Sequence, residues 1–138
     1  MRCGIIWLSD DQRSRESCAL LCLLRVKYVQ GQYDSVAPMF AEAENLAQQY
    51  EYNDHLASLD LIKGHIAWEG RGSPWGSGFD SALHFYQHAL IYALCYNRFL
   101  LDEVLWGGDV ATPLRPLIPF CVEQGEEGRR MLIALRDW

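Results

Sequence analysis

Between Gly70 and Gly78 the chain carries four glycines and one proline in nine residues. No helix runs through such a stretch, because a glycine costs about 1 kcal/mol and a proline about 3 kcal/mol relative to alanine in a helix interior. On both sides of the break the apolar residues recur every three or four positions: Leu56, Leu59, Ile62, Ile66 and Ala67 before it, Leu83, Tyr86, Ala89, Leu90, Ala93 and Leu94 after it. Two amphipathic segments flanking a loop bury their stripes by folding back on one another, so the spacing predicts a helix hairpin from Ser58 to Leu94. Gly64 stands where the two helices must approach closely.

The remaining chain reads in the same way. Ser9 with Gln12 three residues later is a capping-box pattern, and it opens a run free of Pro and Gly to Gln30 that carries Leu20, Leu21, Leu23, Leu24 and Tyr28 before Gly31 ends it. Asp34 is placed to cap a second helix with Val36, Ala37, Phe40, Ala43, Leu46 and Ala47, reaching about Tyr50, with Pro38 in its first turn. Asn53 and Asp54 break the pattern before a third helix that ends near Glu69. The helix resuming at Asp80 has apolar residues as far as Leu105, with a turn expected at Tyr96-Asn97. Gly107-Gly108 closes it, Pro113 and Pro116 start a helix reaching Glu123, and Gly125 separates a last one from about Glu126 to Asp137. No segment has strand periodicity. Seven helices in short-looped pairs predict an all-α, antiparallel helix-hairpin stack rather than a closed bundle.

Composition narrows function by exclusion. A chain of 138 residues, half of them apolar, is a single domain able to bury a core. The net charge of -6 and the scatter of its ten arginines give no basic footprint, so nucleic acid is not an expected partner. Five cysteines, Cys3, Cys18, Cys22, Cys95 and Cys121, are odd in number and lack a disulfide-framework spacing, which fits a reducing cytoplasm. Residues 1–8 meet Asp10 and Asp11 almost at once, and the apolar run from Cys18 to Leu24 stops at Arg25. Neither is long enough for a signal peptide or a membrane span, so no membrane association is expected.

The spacing of Gly31, Tyr33, Val36, Phe40, Ala43 and Leu46 is matched, within about a residue at each end, by Gly78, Phe79, Ala82, Tyr86, Ala89 and Leu90. With Gly64 at a small position, Ala67 and Trp68 closing the first helix, and Ala82, Tyr86 and Ala89 stepping along the second, the chain resembles the tetratricopeptide repeats. The resemblance covers roughly residues 17–96, as one repeat over about 17–50 and a second over about 54–96 that carries the glycine-rich insert 70–78. The first copy departs from the pattern with Leu24 at the small position and Val36 in place of Ala. Residues 97–138 are expected to form a degenerate third unit and a capping helix. In style the chain is similar to repeat arrays of bacterial signal-transduction ATPases and regulators. Such stacks need about three units, and two are clear here, so a second copy or a longer chain is the expected context.

The resemblance implies a binding scaffold whose first helices line a concave groove. Carried over position by position, that groove comprises Leu21, Arg25 and Tyr28 in the first copy, Leu61, His65, Trp68 and Glu69 in the second, and Arg98 and Leu101 in the third. The mix of Tyr, Trp, Arg and His suits a binding surface; inter-repeat packing of Tyr28 and Trp68 is the bland alternative. Arg25 and Arg98 are candidates to clamp a partner carboxylate, although the Lys and Asn that such clamps use are missing.

Competing chemistry is sparse. His84 and His88 lie one turn apart and one turn from Asp80, so they are positioned to share a metal, but neither Glu-x-x-His nor paired Cys completes a site, and no metal or cofactor is expected. The glycine-rich loop lacks the Lys-Ser/Thr ending of a phosphate loop and follows a helix rather than a strand; its Trp75 is expected to be an exposed contact on a flexible insert. The function these readings favour is a non-catalytic protein-protein interaction scaffold or sensor module that holds a protein or peptide segment in its groove. The alternatives are a metal-binding or enzymatic helical protein using His84 and His88, and a structural homodimerisation module.

Overall fold

The computed structural model describes residues 10–33, 36–70, 73–107 and 115–138. Seven α-helices account for most of them: α1 (Asp10–Val29), α2 (Ala37–Gln49), α3 (Asn53–Glu69), α4 (Phe79–Tyr96), α5 (Arg98–Trp106), α6 (Leu117–Glu123) and α7 (Glu126–Arg136). No strand occurs among the described residues. The turn expected at Tyr96-Asn97 is present: Asn97 is extended, and its side-chain oxygen accepts a hydrogen bond from the Leu100 N-H at 2.7 Å, capping α5. Ser9, Asp34 and Pro113, which carried sequence expectations about helix starts, lie outside the described residues.

Helix α3 is the axle of the fold. Its residues His55 through Ala67 are all buried, and α1, α2, α4 and α5 each pack against it. Its apolar residues face two separate cores rather than forming the single stripe read from sequence, so neither of those sides is left to water. Ala57, Leu61 and Ala67 belong to a core shared with α4, α6 and α7, whereas Leu59, Ile62 and Ile66 belong to one shared with α1 and α2.

Three of the buried polar groups of α3, His55, Lys63 and His65, meet partners on neighbouring elements. Lys63 Nζ donates to Glu44 Oε2 of α2 at 2.8 Å and lies over the rings of Phe40, Trp75 and Phe85 at 5.0–6.0 Å. Trp75 therefore corrects the sequence reading of an exposed contact. Its ring meets Phe40 edge-on at 4.9 Å and is half-buried, so this part of the glycine-rich segment is docked on the lysine by cation-π and aromatic packing.

Two glycines mark the closest helix approaches. A Cβ on Gly64 would stand 2.4 Å from the ring of Tyr86 on α4, and one on Gly128 would overlap the backbone carbonyl of Cys121 on α6. In each case hydrogen is the largest substituent that fits. Gly64→Ala is expected to lower unfolding free energy by about 1–3 kcal/mol despite alanine's better helix propensity. Gly128→Ala is expected to cost at least as much, since backbone yields less than a ring. Urea unfolding of both variants checks this, and a neutral or stabilising result at Gly64 would show that α4 does not approach α3 as described.

Candidate functional site

The face shared by α1, α3 and α5 carries a cleft that includes Leu21 and Arg25, two of the residues selected from sequence. On α1, Cys18, Leu21, Cys22 and Arg25 recur at helical spacing; on α3, Asp54, His55 and Ser58 face them; and Leu100 and Glu103 of α5 close the third side, around a cavity of about 240 Å³. Arg25 is the notable member. Its guanidinium Nε is buried, and no hydrogen-bond acceptor reaches it. A buried donor without a partner is costly, by about 1–3 kcal/mol and more for a charged group, so this N-H is a vacant position for an acceptor.

His55 shapes the floor of the cleft. Its Nδ1 lies 2.6 Å from Ser17 Oγ, and its Nε2 is 3.6 Å from Cys18 Sγ and 3.8 Å from Asp54 Oδ2. Burial holds its pKa below the ordinary value, with Asp54 opposing the shift and Arg25 adding to it. The ring is accordingly neutral near pH 7, with one nitrogen donating and the other accepting, and Cys18 rests against it as a weak hydrogen-bond partner.

At the other end of α1 and α3, Tyr28, Gly31, Tyr33, Glu69 and Arg115 line a wider cavity of about 490 Å³. Tyr33 donates its hydroxyl to Glu69 at 2.8 Å. Burial, reinforced by the Glu69 carboxylate, pushes the Tyr28 phenol up to about 12.

The two cavities are separated because the chain covers the middle of the face itself. His65 is fully buried: Nε2 donates to the Arg115 carbonyl at 2.8 Å, which leaves Nδ1 to accept the Tyr86 hydroxyl at 2.7 Å, and the Phe120 ring lies 4.0 Å from the imidazole. Burial drives its pKa down to about 4, so it is a neutral packing residue.

The nine positions carried over from the repeat pattern therefore divide. Leu21 and Arg25 line the first cleft, and Tyr28 and Glu69 the second. Leu61 and His65 are interior, out of a ligand's reach, which corrects their assignment to a groove surface. Trp68 is half-buried between Phe79 and Phe120, and Leu101 packs on the core, so both also do packing work. Arg98 is exposed at the start of α5 and lines neither cavity.

Sequence reasoning missed His55, Ser58, Leu100, Glu103 and Arg115. For His55 and Ser58 the signal was present, since they continue the Leu61, His65, Trp68 face back by one and two turns. His84 and His88 are exposed on α4 with ring centroids 4.4 Å apart. Among the described residues no group of three His, Cys, Asp or Glu side chains is arranged to hold a metal ion, and no helix is long and apolar enough to cross a membrane. No family model, no curated protein and no solved structure matches the chain.

The buried titratable groups of α3 have opposite signs. His65, depressed to about 4, contributes stability present above its unfolded value near 6.5 and lost as pH falls toward 4, and His55 acts in the same sense. Asp60, raised by burial to about 7 from an ordinary 3.8, contributes stability present below 3.8 and lost as pH rises toward 7. Each amounts to about 3–4 kcal/mol at 1.4 kcal/mol per unit, so over pH 4–6.5 the two largely offset. Asp60→Asn removes one side of the balance. The variant is expected to gain several kcal/mol between pH 4 and 6.5 by urea unfolding, where wild type changes little. Parallel profiles for the two proteins would refute the assignment.

Proposed function

We propose that this chain is a non-catalytic scaffold or sensor module that binds a protein or peptide segment on the α1-α3-α5 face, as a hairpin stack of the tetratricopeptide kind. The observation that carries the reading is the unpartnered Arg25 Nε in a cleft that also presents Leu21 and Leu100. A carboxylate side chain, a chain terminus or a main-chain carbonyl of the partner satisfies that donor, while Leu21 and Leu100 receive an apolar neighbour. Asp54 and Glu103 at the rim add polar discrimination.

Several features support the stack reading. Helices α1, α3 and α5 pack consecutively, with α2 and α4 completing the first two hairpins. Ala82, Tyr86 and Ala89, the residues that carried the resemblance, are wholly buried, and the small position Gly64 receives the Tyr86 ring. Residues of α5 and α6 both lie along the α3 face, with Leu100 near its start and Phe120 near its end, so together they stand where a third first helix belongs. The free thiols of Cys18, Cys22, Cys95 and Cys121 suit a cytoplasmic setting.

The test is affinity capture from host lysate with wild type, Arg25→Ala and Leu100→Glu, followed by titration of the purified partner. Loss of a charge-assisted hydrogen bond is expected to weaken binding about tenfold to a hundredfold in Arg25→Ala, with circular dichroism unchanged. Undiminished capture by both variants would overturn the assignment of this cleft.

A further inference from the structure

On the side of α3 opposite the cleft lies a separate cavity of about 220 Å³ between α2, α3 and α4. Glu44 comes from α2, Asp60 and Lys63 from α3, and His84, His88 and Tyr92 from α4. The cavity is smaller than the roughly 300–1,000 Å³ typical of drug-sized ligands, and it suits a molecule of a few heavy atoms.

The unusual group here is Asp60. It is 7% exposed and lines the cavity, yet no donor among the described residues hydrogen-bonds to it and no ion pair includes it. Lys63, one turn along α3, does not fill that role, because its ammonium is held by Glu44 at 2.8 Å and enclosed by Phe40, Trp75 and Phe85. The side chain is largely enclosed, and its oxygens open onto the cavity rather than onto a protein donor, so a donor that enters the cavity is what would pair it. What the cavity lacks is a donor with positive charge.

We propose that the cavity is a binding site for a small organic cation of the primary-ammonium class, with the Asp60 carboxylate as its counter-ion. A primary ammonium has three N-H donors, and the cavity offers acceptors for them in Asp60, the free lone pairs of Glu44 and the Tyr92 hydroxyl. Phe85 and Tyr92 add aromatic lining, and aromatic rings attract cations. A small anion is disfavoured because the one cation in the cavity already has its carboxylate. A metal ion is disfavoured because His84, His88 and Asp60 do not form a ligand set.

The charge state of Asp60 sets the pH response. Burial holds its carboxyl at about 7, with Lys63 lowering and Glu44 raising it, so the acceptor is fully ionised only above that pH. His88, whose pKa burial lowers, stays neutral around the pH where Asp60 ionises, and Tyr92, raised by burial, stays neutral as well. Binding a cation therefore releases a proton from Asp60 near neutrality.

Isothermal titration of the full chain with butylamine, alongside butanoate and Ni²⁺, tests the proposal. Expected is saturable one-to-one binding of butylamine at pH 8, about tenfold weaker at pH 6 where the ionised fraction of Asp60 has fallen by that factor. Asp60→Asn is expected to lose the binding and butanoate to show none. The isosteric variant removes an unpaired charge, so it should keep its helical circular dichroism; should it not fold, the wild-type pH profile alone decides. Absence of butylamine binding, a flat pH profile, equal binding by folded Asp60→Asn, or binding of Ni²⁺ alone would each overturn it.

Discussion

The contact on which the rest of the structure depends is the close approach of α4 to α3 at Gly64. Because that residue has no side chain, the Tyr86 ring lies against the α3 backbone, and its hydroxyl reaches His65 Nδ1. That hydrogen bond fixes the tautomer: with Nδ1 accepting, the proton sits on Nε2, which donates to the carbonyl of Arg115, fifty positions along the chain. Phe120 then closes over the imidazole. A glycine, a tyrosine and a histidine thus determine where the C-terminal third of the chain lies. The linkage is stiff because His65 and Tyr86 are fully buried and each polar group in it has a partner.

The same linkage divides the face formed by α1 and α3. A bare stack of hairpins would present α1 and α3 as one continuous groove, whereas here Arg115 and Phe120 cover its centre. Two shorter cavities remain, one around Arg25 and the other around Tyr28 and Glu69. A partner bound as proposed at Arg25 would meet a short cleft rather than a long channel, and its affinity would have to come from a few well-placed contacts instead of extended area.

Much of the fold was legible in sequence for physical reasons. The helices are long, separated by Gly, Pro or Asn, and carry apolar residues at a period that only a helix can use. Even the weak break at Tyr96-Asn97 was readable, since Asn is a good cap. The site was legible only in part. Mapping by repeat position selected residues on one face of α3, but periodicity records which face a residue occupies and not what later folds over it. His65 and Leu61 were assigned to a groove for that reason, and the segment that hides them has no periodic signal of its own. Trp75 fails in a similar way: in a glycine-rich loop an aromatic reads as exposed, and nothing local shows that Lys63, twelve positions earlier and buried, is its partner.

Helix α3 carries more polarity than an axle requires. Lys63 and His65 are explained by the groups that meet them, and His55 by Ser17. Asp60 is not, and in structural terms it is a liability, because its buried carboxyl destabilises the fold near neutral pH. An asparagine or leucine at that position would fill the space without that cost. Its presence makes physical sense if something outside the chain supplies the missing positive charge, since the energy withheld from the empty fold is then returned on binding. Arg25 Nε, in the cleft on the other side of α3, poses the complementary problem: a donor without an acceptor. The two groups have opposite charge and face different cavities, so neither can pair the other.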